Sequence, residues 1–218
     1  MPYRQTENVV RRLAARRDAI LAAAGDAAAE GGMAAVQMAP VAARARIAAG
    51  TVYRYFPAKT DLVAALVAAF SARELAALER AAKAAPGPLS ALAAAITTFA
   101  ARALASRRLA FALIAEPVDA ASDNVRLSFR AALTAELGER VFAAMKAGHL
   151  PDQDIAVVSP ALLGALAEGL IGPLAFEAGN EGKTRDAVQT MTLFALRGLG
   201  VADARARGLV VQTRLPGQ

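Results

Sequence analysis

The stretch Arg44–Leu62, "RARIAAGTVYRYFPAKTDL", decides how this chain is read. In a sequence written mostly in alanine, it gathers two of the three tyrosines, several cations, a threonine and a glycine into a few residues. If residues 49–55 are helical and Val52 points inward, then at 100° per residue Phe56 falls beside it. Gly50 and Arg54 then occupy the opposite face, with Thr51 and Tyr53 at its flanks and Tyr55 at the boundary. The outward face combines a missing side chain, which permits close approach, with a guanidinium, a hydroxyl and a phenol. Such a set suits a helix laid against DNA, where arginine pairs with guanine edges and hydroxyls hold phosphates. Lys59 opens the next helix, whose free N–H groups also favour phosphate. Val41, Ile47, Val52 and Phe56 are the expected inward residues, so that a short helix, a tight connection and a second short helix form a helix-turn-helix candidate.

The surrounding sequence is all-helical by the same reasoning, since Ala, Leu, Arg and Glu dominate and alternating β-branched patterns are nearly absent. A first helix spans about 7–30 and stops at Gly31-Gly32. Short helices follow from Pro40 and over 49–55, the latter closed by Pro57. The fourth runs over about 58–85, with Asp61 in its first turn. "APGPLS" at 85–90 breaks the chain, and further helices are expected at 89–105, 107–115, 123–147, 153–178 and 184–199. Pro117, the Gly148/Pro151 turn and "AGNEGK" separate them. The boundaries that follow are 1–57 for a helix-turn-helix head and 58–218 for a helical body.

Charge sets the head apart. Residues 1–60 hold nine basic and four acidic groups, whereas the other 158 hold sixteen and fifteen. The basic end is the candidate polyanion face. The chain has no cysteine, which removes disulfides and thiolate metal sites, and its single histidine, His149 in "AGHLP", reads as a helix-end residue. No metal or cofactor is expected beyond a small effector. The longest apolar run, 159–176, is broken by Glu168, three glycines and two prolines, so a membrane-spanning helix is not expected. The start "MPYRQTENVVRRLAARR" lacks an apolar core with a cleavage site, and the cytoplasm is the expected compartment. An enzyme is not expected either: the sequence has no phosphate-gripping loop, no G-x-S-x-G elbow and no metal-spaced histidines.

Ile20, Leu21, Ala23, Ala24, Glu30 and Gly32, followed by "VAARARIAAGTVYRYFPAK" from Val41 to Lys59, resemble the TetR-type transcriptional regulators. The resemblance covers about the first quarter of the chain. It implies a three-helix DNA-binding head, an all-helical ligand-binding and dimerising body, and a homodimer on a palindromic operator, most often as a repressor released by a small effector. By position it implies phosphate or backbone contacts from Thr51, Tyr53, Tyr55 and Lys59, close approach at Gly50, and base reading by Arg54; Arg44, Arg46 and Ala49 complete the candidate DNA face. The sequence departs from the family pattern at Ala27, Ala28 and Met33, where larger or aromatic residues usually fill the head. Loose packing is therefore expected there. Arg46 takes the turn position commonly held by glycine, and Ala48 replaces the usual serine N-cap.

In the body, Phe70, Phe99, Phe111, Phe129, Phe142, Met145 and Phe176 are candidates to line an apolar effector pocket, although aromatic residues at helical spacing also suit a plain core. Glu116, Arg126, Arg130 and Glu168 are the polar candidates, because they fall in or near apolar runs. "SPALLGALAEGLIGPLAF" at 159–176 sets glycines among leucines, where each costs about 1 kcal/mol relative to alanine. Close helix approach would offset that cost, and with "QTMTLFALRGLG" at 189–200 the run resembles the dimerising helix pair of TetR-type proteins. The expected interface residues are Leu163, Gly164, Ala167, Gly169, Leu170, Gly172, Met191 and Phe194, with ordinary intrachain packing as the alternative. Two other functional classes fit less of the sequence: a helical ligand-binding relative with weak DNA affinity, and a membrane-surface or scaffolding protein using the arginine-rich first helix.

Overall fold

The computed structural model describes residues 7–116, 120–176 and 179–213, and among them the regular structure is entirely helical. Ten α-helices follow in order: α1 Glu7–Gly31, α2 Met38–Arg44, α3 Ala49–Tyr55, α4 Lys59–Lys83, α5 Pro88–Ala105, α6 Arg107–Ile114, α7 Ala120–Lys146, α8 Ile155–Ile171, α9 Glu181–Gly198 and α10 Asp203–Gln212. A single 3-10 turn, Met33–Ala35, links α1 to α2. The expected break at Pro117 lies outside the described residues, as does the first part of "AGNEGK".

Local chemistry explains where the helices begin and end. Asp154 caps α8 by accepting the Ala156 N–H at 2.9 Å, and Asn180 caps α9 through the Lys183 N–H at 2.9 Å. Pro88 sits in the first turn of α5, where its missing N–H costs nothing. Three helices stop in the same way. The residue after the cap has positive φ, and the next N–H reaches back five residues, as in His149 to the Ala144 carbonyl and Val201 to that of Leu196, both 2.9–3.0 Å. The helix expected over 153–178 ends at Ile171 instead, because Gly172 turns extended and Pro173 cannot continue the ladder. The sequence reading did not anticipate α10.

α5 is the central helix. It packs against α4, α7, α8 and α9, and its Leu92, Ala93, Ala95, Ile96 and Ala100 are fully buried. It is long and apolar enough to cross a membrane, but most of that window is buried inside the protein. Two polar pairs tie neighbouring helices together inside this core. Arg102 on α5 grips the buried Glu74 of α4 with two bonds of 2.6 and 2.7 Å, and the bond to Glu74 holds the guanidinium pKa above its usual value. Thr97 meets Thr192 of α9 at 3.2 Å. α7 and α8 approach closely at Gly138, where an added Cβ would lie 2.6 Å from the Ser159 hydroxyl.

The N-terminal helices join this core rather than hanging from it. Ala23, Ala24, Ala27 and Ala28 make a buried stripe on α1, and Met33 is buried beside the 3-10 turn. α1 packs on α2, α4 and α6, so its small residues admit neighbouring helices at close range. One continuous cluster of buried residues runs from Ile20 to Ala206.

Candidate nucleic-acid interface

α2 ends in a turn of unusual composition. Ala45 closes the helix, Arg46 adopts φ 55°, and the N–H groups of Arg46 and Ile47 return to the Ala43 and Ala42 carbonyls at 3.1 and 3.0 Å. This is the same stop that Gly148 and Gly200 make with glycine, built here with an arginine. The turn sends the chain into α3 through Ala48, which is extended and offers no side-chain cap.

The faces of α3 fall where the helical wheel places them. Val52 is fully buried and Phe56 nearly so, while Gly50, Tyr53 and Arg54 are exposed and Ala49, Thr51 and Tyr55 are half-buried. Ile47 is only half-buried, so its inward role is partial. Gly50 is informative because a Cβ built there meets nothing within 4 Å. No intrachain contact demands glycine at this position, and the outward face of α3 is open in front of it. Arg54 lies over the Tyr55 ring at 5.9 Å, and behind the helix Arg17 of α1 covers Phe56 at 5.4 Å. Lys59 is the first residue of α4, whose entry is fixed by the Asp61 carboxylate accepting the Ala58 N–H at 2.9 Å.

Arg44 stands apart from this set. Both of its terminal nitrogens donate to Glu30 of α1, at 2.7 and 2.5 Å, which ties α2 to α1. The hydrogen bond holds the Glu30 carboxyl below its usual pKa and raises that of Arg44. All three arginines are exposed, but the Arg44 fork is engaged by Glu30, whereas Arg46 and Arg54 have no carboxylate partner among the described residues.

The body candidates divide. Phe70, Phe99 and Phe129 are buried, with Phe70 and Phe129 edge to face at 5.8 Å, and Phe111 is half-buried beneath Arg108. Met145 is half-buried and Arg130 donates to the Ile114 carbonyl at 3.3 Å. Phe142 and Glu168 do not belong with them: both are exposed, and Phe142 borders a surface groove of about 370 Å³ between α7 and α8. Glu116 has a use that the sequence did not disclose. Its carboxylate accepts the Met33 N–H at 3.1 Å and lies 3.6 Å from Arg108, bridging α6 to the end of α1. The partners are 83 residues apart, and no local signal announces them.

The interface candidates divide as well. Leu163, Ala167 and Leu170 are buried inside the chain, and Gly172 is buried too, so these positions serve intrachain contact. Gly169 faces Met191 of the same chain, whose methyl would lie 2.6 Å from an added Cβ. Gly164 is half-buried, and Phe194 is 57% exposed. His149 sits in the turn after α7, within 3.3 Å of Arg205. No metal-binding group of side chains occurs among the described residues.

Residues 20–66 match the family model for bacterial regulatory proteins of the tetR family. The HTH-type transcriptional repressor KstR of Mycobacterium tuberculosis is 54% identical over 57 residues, which is 26% of each chain. The chain thus matches about a quarter of the length of its curated relatives. Over nearly the whole chain, the fatty acid degradation regulator FadR from Bacillus halodurans superposes with a TM-score of 0.72 at 21% identity, covering 86% of this chain and 97% of that one. AibR, in complex with isovaleryl coenzyme A and operator DNA, superposes with a TM-score of 0.66 at 17% identity, over 82% and 97%. The N-terminal helices, with the α3 face they present, are therefore similar to the tetR family of bacterial regulatory proteins over residues 20–66, and the chain as a whole shares the all-helical fold of FadR and AibR.

Proposed function

We propose that the protein is a ligand-responsive transcriptional regulator that binds a palindromic operator as a homodimer and is released from it by a small apolar or amphipathic effector. The observation that carries this reading is α3: a helix anchored by Val52 and Phe56 that turns Gly50, Tyr53 and Arg54 outward, with open space in front of the glycine. Residues 1–57 act as the DNA-binding head and 58–218 as the effector-binding and dimerising body. Arg54 reads a base edge, while Thr51, Tyr53, Tyr55, Lys59 and the turn residue Arg46 hold the phosphate backbone. The protein acts as a regulator rather than a catalyst, in the cytoplasm where its operator lies. KstR is named a repressor and AibR was solved with both isovaleryl coenzyme A and operator DNA, which supports repression and control by a bound effector.

The switch uses the connection between the two parts. An effector in the body shifts α4 and α6, and the paired recognition helices then no longer match successive major grooves, about 34–36 Å apart. Selection of bound fragments from genomic DNA, followed by titration at several salt concentrations, tests the reading. A palindromic site should emerge. With about six phosphates neutralised per dimer, log K should fall against log salt with a slope of about −5. A flat salt dependence, or no selected sequence, would contradict DNA recognition by the head.

A further inference from the structure

We propose that Arg126, in the second turn of α7, anchors an oxyanion carried on an apolar body, and that a carboxylate or phosphate monoester of this kind is the effector class sensed by the protein. The proposal rests on the reading of the chain as a ligand-responsive regulator and names the chemistry of its effector. The Arg126 side chain is 14% exposed. Among the described residues its partner is Asp123, which accepts from Nη2 at 2.5 Å. Nε and Nη1 are buried and have no acceptor among the described residues. A guanidinium stays charged at any working pH and presents five N–H donors in a rigid fork. Desolvating its donors without acceptors is costly, so their retention calls for lone pairs from elsewhere.

The charges around Arg126 point to an anion rather than to a neutral acceptor. Asp123 is 41% exposed and occupies one of the three nitrogens. Arg130, one turn further along the same face of α7, donates to the Ile114 carbonyl and has no carboxylate partner among the described residues. Glu116, the acid at the nearby end of α6, is committed to the Met33 N–H and to Arg108. Among the described residues, the two guanidinium groups near the start of α7 are thus met by one carboxylate, Asp123 on Arg126. One oxyanion supplies the missing charge and, through its second oxygen, the second acceptor of a forked pair. Phe129 lies three residues beyond Arg126 on α7 and is buried against Phe70, so the adjoining turn of the helix is apolar. An anion with an apolar remainder fits both.

The site adjoins the bridge between body and head. Arg130 holds the last turn of α6, and Glu116, two residues beyond that carbonyl, holds Met33. An anion drawn to Arg126 competes for the same cations that keep this junction in place.

The test uses the full chain with decanoate, decyl phosphate and the neutral methyl decanoate as probes, measured by calorimetry on the unaltered protein and on Arg126→Met. One or both anions should bind saturably, and Arg126→Met should weaken that binding by about tenfold or more, the loss of a forked charged pair. Methyl decanoate should not distinguish the two proteins. Preference for decanoate or for decyl phosphate identifies the oxyanion. Without ligand, Arg126→Met should melt at or above the unaltered protein, since unmet donors are removed. A clearly lower melting temperature would assign Arg126 to the structure, its donors met by water, and would overturn the proposal. Failure of both anions to bind, or equal binding of the neutral ester, would overturn it as well. Operator release is read separately. Anion binding through Arg126 with unchanged operator affinity keeps the site and refutes the switch, whereas release by the ester that ignores Arg126→Met keeps the switch and refutes the site.

Discussion

At the residue scale, Arg46 poses the sharpest problem. Three helix ends share one hydrogen-bond pattern, and two of them place glycine at the left-handed position, Gly148 at φ 69° and Gly200 at φ 91°. The third places Arg46 there, where a side chain raises the energy by about 1–2 kcal/mol. Arg46→Gly should therefore stabilise the protein by about 0.5–1 kcal/mol after allowing for the freedom glycine adds to the unfolded chain. The same change should weaken operator binding on all sequences alike and lower the salt slope by about 1 per site, as expected for a lost phosphate contact. Scanning calorimetry and DNA titration check the two halves, and a drop in melting temperature would show that the side chain stabilises its own turn. Arg54 and Lys59 separate by the same logic. Arg54→Ala should cost about 1–3 kcal/mol per half-site and relax preference at one operator position, while Lys59→Ala should weaken all sequences equally. Equal, sequence-independent losses from both would remove Arg54 from base reading.

At the scale of the element, α8 and α9 show how burial sorts a composition. Leu163, Leu166, Ala167 and Leu170 face the core, which leaves Val157, Ala161, Gly164 and Glu168 along the outer side of α8. On α9 the outer side carries Phe194, exposed although large and apolar, with Thr190 a turn before it. An exposed aromatic on the outer face of a helix whose inner face joins the core suits a contact with a second copy of the chain. Phe194→Glu should shift sedimentation toward monomer, weakening self-association by about tenfold or more, with helical content unchanged because Phe194 lies outside the core. A variant that remains fully dimeric would move the interface off α9. Gly169→Leu is a poor test by comparison, since the new side chain would meet Met191 within the same chain.

On the scale of the whole molecule, the junction of head and body turns on Glu116 and Gly32. Gly32, at φ 70°, lies so close to the Glu116 carboxylate and the Arg108 guanidinium that a Cβ would sit 2.4–2.6 Å from their atoms. The glycine leaves the space in which Glu116 accepts the Met33 N–H. Glu116→Ala should orphan that N–H and cost about 1–3 kcal/mol. Hydrogen exchange at the Met33 amide should quicken while exchange in α5 is scaled only by the global loss of stability. Unchanged protection at Met33 would show that the bond does not hold the junction.

What the sequence determined by itself is what depends on near neighbours. The direction of Val52 and Phe56 against Gly50 and Arg54 follows from 100° steps along one helix, and the helix stops at Gly31, Gly148 and Gly200 follow from backbone preferences within a turn. The turn at Arg46 was anticipated only through the resemblance to TetR-type regulators, whose pattern commonly places glycine there, and the structure gives it φ 55°. Where a side chain's partner lies far along the chain, only the tertiary structure decided its use. Arg44, a candidate DNA contact, meets Glu30 of α1 across 14 residues, and Glu116, a candidate pocket residue, meets Met33 across 83. The glycine-leucine run of α8 carried too little polarity to mark its inner face, so Leu163, Ala167 and Leu170 were assigned only when α5, α6, α7 and α9 closed around that helix. Sequence periodicity orients a helix about its own axis, but which face meets which neighbour is settled by the free energy of burying all the helices together.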